Sequence, residues 1–421
     1  MAPIAAAPDM ITPGIEDVVA NAKLHGNAGA SDHTMVLNMG PQHPSTHGVL
    51  RLVLEIDGEA VVALAPDIGY LHTGIEKTCE AKFYQQVIPL TDRIDYLCPM
   101  TNNLAYCLAV EKLLELEIPE RAQVLRVLLN ELTRIQSHLV WLGTHAMDIG
   151  ALTMFLYCWR EREDILRIFE AVSGQRMMTS YFRIGGLALE PPMEFREQVQ
   201  NFLNIMPGRI DQYESLLTGN PIWIGRIKGV GTLSAADAVA LGVTGPPLRA
   251  SGVDWDLRRD MPYSGYEKFK FKVPTSTEGD VWARYEVRLL EMRESVKICQ
   301  QAMDMLANMP AGRIVADAPK IVLPDREQMK TQMESLIHHF KIVTEGFGVP
   351  AGEVYQAVES PRGEMGYYVV SDGTAKPYRV HMRNPSFATL QSLETMCKGR
   401  LLADVVAVIG SIDIVLGEID R

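Results

Sequence analysis

Two histidines four residues apart, His43 and His47, stand in the segment NMGPQHPSTHGVLR at residues 38–51. Imidazole changes charge near neutral pH and also binds metals, so such a pair suits proton transfer or metal coordination. Pro41 and Pro44 exclude a regular helix here, and glycines loosen both ends of the segment. The spacing therefore predicts two imidazoles on a rigid loop. It leaves open whether they act on a ligand or merely hydrogen-bond the loop backbone.

Two more side chains could take part in acid–base chemistry. Tyr96 ends the polar cluster TDRIDY between apolar segments, and a phenol with an ordinary pKa of about 10 is a usable proton donor. Asp148 follows His145 by three residues in HAMDIG, and Thr144 lies on the same helical face as Asp148. An acid in apolar surroundings needs a partner, and a histidine from another segment would serve. Amphipathic packing of Tyr96 and a solvated Asp148 remain open alternatives.

The histidine loop leads into a predicted β-hairpin. VLRLVLEI and EAVVALAP are rich in β-branched residues and are joined by Asp57-Gly58, a strong turn signal. A second hairpin is predicted over residues 366–383, with Asp372-Gly373 near its turn. Both hairpins predict small antiparallel sheets beside a larger helical part.

Helices are predicted for about residues 100–180, and again near 281–309 and 325–341. One apolar face is built from Leu125, Leu128, Leu132, Ile135, Leu139 and Leu142, at spacings of three and four. The next helix, ALTMFLYCWREREDILRIFEAV, is apolar on all sides in its first half and is therefore expected to be central. The fold class is α+β, dominated by helices.

The chain divides into four predicted regions. They are a mobile tail (residues 1–33), a β-hairpin region with the histidine loop (34–66), a helical core (67–385), and a buried C-terminal segment of helix and short extended pieces (386–421).

Composition excludes several classes of protein. The 421 residues are 47% hydrophobic and 22% charged, as in soluble globular proteins, and the net charge of −12 without basic runs argues against nucleic-acid binding. No apolar run is long enough for a transmembrane helix, and the N-terminus lacks the features of a signal or transit peptide. We therefore expect a cytoplasmic protein, which could also be bound to the surface of a membrane protein.

The six cysteines form no C-x-x-C pair, the spacing that iron–sulfur, zinc and thiol-redox sites usually show. Reduced and mostly buried thiols are expected, with no metal bound by this chain.

Several long segments together resemble one family. GPQHPSTHGVLRL is similar to the signature of the hydrogenase-like large subunit of respiratory complex I, the proton-pumping NADH:quinone oxidoreductase. Further segments resemble the family in the same order: GYLHTGIEK, DRIDY, NELTRIQSHLVWLGTHAMDIGA, SGVDWDLRR, EGDVWARYEVRLLEMRES, ESPRGEMGYYVVSDG and the terminal GEIDR. The resemblance extends from about Met35 to Arg421.

The resemblance implies a helical bundle related to the large subunit of nickel–iron hydrogenases. It implies a small partner subunit that carries the terminal 4Fe–4S cluster, other peripheral-arm subunits, and a membrane-arm subunit that forms the quinone channel. The substrate would be ubiquinone or menaquinone. The location would be peripheral, on the cytoplasmic side of a bacterial inner membrane.

The resemblance also assigns roles to residues. His47 and Tyr96 match the groups that would hydrogen-bond the quinone headgroup and protonate it, and Asp148 matches the acidic partner of the histidine. Thr144 and Met147 would contact the quinone. His43 would stiffen the loop. Loss of the His47 proton would leave Asp148 without its counter-charge, a hypothetical start for coupling to proton pumping.

Two positions depart from the family pattern near the cluster. Thr73 stands where an arginine is frequent, and Met178 stands where a histidine often follows Arg-Met. Without those groups we expect a lower cluster potential with weak pH dependence, suited to a low-potential quinone.

Three alternatives compete with this interpretation. A nickel–iron hydrogenase would need two C-x-x-C motifs that the chain lacks. A related ferredoxin-linked complex or membrane-bound hydrogenase would take its electrons through other chains. A non-catalytic scaffold would only bind other subunits.

Overall fold

The computed structural model describes residues 33–421. The predicted tail, apart from His33, lies outside these residues. The strands are β1 Thr34–Met39, β2 Arg51–Asp57, β3 Ala60–Asp67, β4 Phe182–Arg183, β5 Gly186–Leu187, β6 Gly352–Ser360, β7 Gly363–Ser371 and β8 Arg379–Arg383.

The helices up to residue 260 are α1 Ile75–Glu80, α2 Tyr84–Thr91, α3 Pro99–Leu113, α4 Glu120–Asp148, α5 Leu152–Ser173, α6 Phe195–Leu217, α7 Pro221–Ile227, α8 Ala235–Ala240, α9 Pro246–Ala250 and α10 Leu257–Asp260. Those that follow are α11 Val281–Asn308, α12 Arg326–Thr331, α13 Met333–Thr344, α14 Pro385–Leu390, α15 Leu393–Cys397, α16 Leu402–Ile412 and α17 Leu416–Asp420. Short 3₁₀ turns occupy Pro44–Thr46 and Tyr266–Lys268. The predicted α+β class is confirmed; the division into regions stays a prediction.

The N-terminal sheet has the order β1-β2-β3, and both neighbouring pairs are antiparallel. Asp57 pairs with Ala60 across the Asp57-Gly58 turn, and Gly58 has a φ of 60° that glycine adopts at little cost. Leu52, Leu54 and Ile56 are buried because alternate side chains of β2 point to the same face. The predicted hairpin is confirmed, and the histidine loop connects β1 to β2.

The centre of the molecule is helix α4, which packs against α5 and α11. Its six-residue leucine and isoleucine face is completely buried, as the spacing predicts. The expectation that the first half of α5 is central is wrong. Leu152 is 59% exposed and Leu156 is 61% exposed, because only one face of α5 packs on α4 and α6.

Buried charges cross this bundle in what we call the bundle ion network. Its members are Glu131, Arg134, Arg249, Asp256, Arg258, Glu291 and Glu359. Arg249 bonds Glu291 on α11 at 2.7 Å and Glu359 on β6 at 2.7 Å. The network therefore ties four separate chain segments together inside the core.

The second sheet has three strands in the order β6-β7-β8, all antiparallel. The predicted hairpin corresponds to β7 and β8, whereas β6 was not predicted. β6 joins β7 through a two-residue turn, since Ser360 pairs with Gly363. That turn holds Pro361 and Arg362 and lacks the Asn-Gly or Asp-Gly pair that identifies a hairpin in a sequence.

The C-terminal segment consists of the short helices α14 to α17, and most of the side chains from Val405 to Asp420 are buried. The short extended pieces expected there are instead mostly helical. An isolated bridge pairs Leu401 with Ala60 and ties the segment to β3. Across residues 33–421, no helix is both long enough and apolar enough to cross a membrane.

Candidate functional site

The histidine loop is held at both ends by its own backbone. The His43 side chain accepts a hydrogen bond from the Ser45 backbone N–H through Nδ1 at 3.2 Å, and the Thr46 hydroxyl donates to the His43 carbonyl at 2.9 Å. A Cβ atom at Gly40 would lie 2.0 Å from the Leu50 carbonyl oxygen, so only glycine fits there. His43 therefore stabilises the turn, in agreement with its expected role.

His47 follows the turn with a left-handed φ of 51° and a half-buried ring. Among the residues described, no hydrogen-bond partner reaches its Nε2 atom. Burial, and to a lesser extent the positive charge of Arg362, lower the pKa of His47 to about 4. At neutral pH His47 is therefore an uncharged imidazole whose buried Nε2 atom has no hydrogen-bond partner among the described residues.

Asp148 is the last residue of α4, and its carboxyl group is half-buried. Burial alone raises the pKa of Asp148 to about 6. Within the described part of the chain, no hydrogen bond or ion pair joins Asp148 to His47, so their pairing stays a prediction.

The two other residues expected at this end of α4 differ in what they offer to a ligand. The Thr144 hydroxyl donates to the Val140 carbonyl at 2.9 Å, a bond inside its own helix. Met147 is 39% exposed and free to contact a ligand or a partner.

Tyr96 lines a cavity of about 470 Å³ together with Leu71, Thr73, Ile75, Thr78, Leu90, Arg93 and Gly417. Burial raises the pKa of Tyr96, and the neighbouring Asp95 and Glu418 carboxylates add to the shift. The structure thus brings Tyr96 and Thr73, which are distant in the sequence, to one mostly apolar cavity. Met178 is half-buried and does not line this cavity.

Behind Tyr96 lies a buried group that sequence reasoning missed, and which we call the Arg362 cluster. It consists of Asp95, Cys98, Arg362, Asp413 and Glu418. The Arg362 guanidinium bonds Asp95 at 2.5 Å and Asp413 at 3.3 Å, and the Cys98 thiol donates to Asp95. Asp413 and Glu418 interrupt an otherwise apolar C-terminal run, a signal that could have identified two of its members.

Arg362 acts electrostatically on both proposed quinone ligands. Its charge lowers the pKa of His47 and, against the larger effect of burial, also lowers that of Tyr96. The charge of Arg362 therefore acts on both His47 and Tyr96, although these residues are 49 positions apart in the sequence.

The C-terminal residues of the chain also contact the segments around the Tyr96 cavity. The Asp420 carboxylate accepts backbone hydrogen bonds from Gly69 at 2.9 Å and from Leu71 at 2.6 Å. A Cβ atom at Gly417 would lie 2.5 Å from the Ile94 carbonyl oxygen. The last residues of the chain thus hold the loop that contains Thr73 against the segment that ends in Tyr96.

A second unpredicted group is His145, which is fully buried on α4. Neither ring nitrogen has a hydrogen-bond partner among residues 33–421, and burial is the main cause that lowers the pKa to about 3. Its ring stacks on Trp141 and meets Trp223 edge-on. His145 is a neutral ring inside an aromatic cluster.

The described residues can also be searched for side chains that could bind a metal ion. Over residues 33–421, no three or more His, Cys, Asp and Glu side chains are arranged to hold a metal ion. All six cysteines are buried, as expected, and none is bonded to another.

Comparison with known proteins places these residues in a family context. A family model described as the 49 kDa subunit of the respiratory-chain NADH dehydrogenase matches residues 148–421. The chain is 74% identical to an NADH-quinone oxidoreductase subunit of Koribacter versatilis over 390 residues, which cover 93% of this chain and 96% of that protein. It is 68% identical over 387 residues to an NADH-quinone oxidoreductase subunit of Solibacter usitatus, covering 92% of this chain and 94% of that protein. With the NADH-quinone oxidoreductase subunit of Trichlorobacter lovleyi the identity is 58% over 392 residues, covering 93% of this chain and 100% of that protein.

Proposed function

The chain belongs to the family of the 49 kDa subunit of the respiratory-chain NADH dehydrogenase, and we propose that it forms the site where quinone is reduced and protonated. It would act as a peripheral subunit of a proton-translocating NADH:quinone oxidoreductase on the cytoplasmic side of the inner membrane. A small subunit with a 4Fe–4S cluster would complete the site and deliver electrons. The bundle around α4 would be the hydrogenase-like core of that family.

One observation carries the proposal: Tyr96, whose phenol is protonated, lines a mostly apolar cavity. The cavity of about 470 Å³ is within the usual range for small-molecule sites. Because burial and two nearby carboxylates disfavour the phenolate, Tyr96 keeps its proton until a strong base is present. A doubly reduced quinone is such a base, so Tyr96 would act as a general acid.

His47 would bind the second carbonyl oxygen of the quinone through its free ring nitrogen. Because the pKa of His47 is lowered, the ring is neutral before quinone is reduced. It would therefore donate a hydrogen bond to the quinone without placing a positive charge beside it. Negative charge on the reduced quinone would raise the pKa of His47 and draw a proton onto the ring. Asp148, charged above pH 6, would stabilise that imidazolium.

The other proposed contacts have narrower roles. Met147 offers an exposed, flexible apolar side chain that suits a quinone ring or its tail. Thr144 would contact the quinone only through its methyl group while its hydroxyl stays bonded within the helix.

Tyr96→Phe tests the proposal because it removes the acidic proton and keeps the ring. We expect NADH:quinone reductase activity of membranes to fall by about a hundredfold, a typical contribution of a general acid. Oxidation of NADH with an artificial acceptor should stay unchanged and report intact assembly. Tyr368→Phe is the matched control, since Tyr368 is half-buried on β7 and its hydroxyl donates to Glu353 away from the cavity.

The same assay separates the alternatives. A scaffold without a catalytic role would keep full quinone reduction in both Tyr96→Phe and His47→Ala, which would contradict the proposal. Stoichiometric nickel in the purified complex would instead indicate a hydrogenase. Quinone reduction supported by reduced ferredoxin and not by NADH would indicate the ferredoxin-linked complex.

A further inference from the structure

The Arg362 cluster holds three buried carboxyl groups around one guanidinium. Arg362 bonds Asp95 and Asp413 directly, whereas no arginine or lysine forms an ion pair with Glu418 among the residues described. Glu418 has no measurable exposure. A buried carboxylate without a cation is costly, and it is normally relieved by binding a proton.

The contacts of Glu418 suit a carboxyl group that gains and loses a proton. Its Oε2 atom lies 2.5 Å from the Ser386 hydroxyl and 3.3 Å from the Ser386 backbone nitrogen. Its Oε1 atom has no partner in the described part of the chain. The serine hydroxyl can donate to the charged form and accept from the neutral form, so both states are accommodated.

Glu418 also lies directly behind the proposed quinone cavity. The preceding residue, Gly417, lines that cavity with Tyr96 and packs on the carbonyl oxygens of Arg93 and Ile94. The Glu418 carboxylate in turn influences the Tyr96 phenol electrostatically. The two acids therefore belong to one site, with Tyr96 at the cavity wall and Glu418 in the second layer.

We infer that Glu418 is a positioning residue that stores one proton and returns it to Tyr96 after Tyr96 has protonated the quinone. This inference rests on the proposed function. The O–H bond of Glu418 breaks, the O–H bond of Tyr96 forms, and the negative charge moves from the phenolate to the carboxylate without electron transfer. A proton from solvent then restores Glu418.

The direction of this transfer follows from the surrounding charges. Burial, and next the negative Asp95, raise the pKa of Glu418 to about 8, which is still below the ordinary pKa of a phenol of about 10. The carboxylate that remains is attracted by Arg362, which already lowers the pKa of Glu418. Transfer from Glu418 to a Tyr96 phenolate is therefore favourable.

Other titratable groups face Glu418. Asp95 is ion-paired with Arg362, and burial raises the pKa values of the Cys98 thiol and the Tyr367 phenol well above their ordinary range. Burial also raises the pKa of Asp413, but Asp413 is ion-paired with Arg362, whereas Glu418 forms no ion pair among the residues described. We therefore assign a titration near pH 8 in this cluster to Glu418.

The first test is Glu418→Gln in the assembled complex, with quinone reductase rates measured from pH 6.5 to 9.5. The native rate should fall about tenfold between pH 7 and pH 9 as Glu418 loses its stored proton. The variant should be about tenfold slower at pH 7 and lack this decline, with KM for quinone changed less than about twofold because Glu418 does not touch the substrate. Asp404→Asn, a half-buried acid on α16 paired with Arg226, should keep the native profile.

The second test covers the case in which Glu418→Gln does not assemble. The hydrogen bond from the Ser386 side chain favours the charged form of Glu418 and lowers the pKa of this residue. Ser386→Ala removes that bond and should raise the pKa of Glu418. The decline in rate should therefore move to higher pH. Ser392→Ala is the matched control, because that buried hydroxyl bonds only the Thr389 carbonyl.

Opposite outcomes are distinguishable. An unchanged decline near pH 8 in Glu418→Gln, or an unmoved one in Ser386→Ala, overturns the inference and leaves the proposed function standing. Full activity in Tyr96→Phe would overturn the proposed function itself.

Discussion

At the scale of single residues, the site contains groups whose charge is decided by burial. His47 is neutral at pH 7, Tyr96 is protonated, and Asp148 changes charge near pH 6. The Nε2 atom of His47 has no hydrogen-bond partner in residues 33–421. A bound substrate could supply the partner that this buried atom lacks.

Asp148→Asn removes the titration near pH 6. At pH 7 the native carboxylate is charged and would stabilise the His47 imidazolium, so we expect the variant to be about tenfold slower in quinone reduction. At pH 5 the native carboxyl is itself neutral, and the two rates should converge. Asp164→Asn is the control, since Asp164 is half-buried on α5 and its pKa is likewise raised by burial. An equal ratio of rates at pH 5 and pH 7 would contradict the assignment.

Thr73→Arg tests the expected effect of this position on the neighbouring cluster. A positive charge at the cavity wall stabilises the reduced, more negative cluster, so the midpoint potential should rise in a redox titration of the complex. Thr331→Arg, exposed on α12, should leave the potential unchanged. A native potential that is already high and strongly pH-dependent would contradict the expectation.

At the scale of elements, the site depends on how closely α16 approaches α4. The Trp141 indole donates to the Gly410 carbonyl at 2.7 Å, and α16 also packs on the 3₁₀ turn of the histidine loop. A Cβ atom at Gly410 would lie 2.3 Å from Nδ1 of His145. This glycine therefore sets the distance between the helix that ends at Asp148 and the loop that carries His47.

Gly410→Ala should force α16 away from α4. Overpacking of this kind typically costs about 1–3 kcal/mol, because neither His145 nor the helix backbone can move freely. We expect a lower midpoint of thermal inactivation of the complex and a reduced quinone reductase rate. Gly208→Ala is the control, since a Cβ atom at that exposed helical position meets nothing within 4 Å. Equal thermal midpoints in the two variants would show that the close contact between Gly410 and His145 does not determine the stability of the complex.

At the scale of the whole molecule, two buried charge groups meet at the hairpin between β6 and β7. Glu359 at the end of β6 belongs to the bundle ion network. Arg362, in the turn that follows, is the central residue of the Arg362 cluster. Arg134 strengthens the connection by donating to the carbonyl oxygens of Glu359 and Ser360. The hairpin therefore links the rigid bundle to the site.

Arg249→Gln should be far more damaging than a surface change. It leaves Glu291 and Glu359 buried without their cation, and breaking a buried pair costs about 3–5 kcal/mol. We expect almost no assembled subunit by immunoblot of the purified complex. Arg259→Gln removes exposed ion pairs to Asp254 and Asp260 and should cost less than about 1 kcal/mol. Normal assembly of the Arg249 variant would show that the network is dispensable.

Local patterns in the sequence determined the hairpin at Asp57-Gly58, the long helix with its leucine face, the α+β class and, through its motifs, the family. Each of these depends on residues a few positions apart, which turn and helix geometry bring together. The tertiary structure alone decided that Arg362 bonds Asp95, 267 residues away, and that Glu418 lies beside both. It also showed that one face of the first half of α5 is exposed and that β6 is a strand. A single residue type carries no information about a distant partner, and burial, which sets these pKa values and contacts, exists only once the chain has packed.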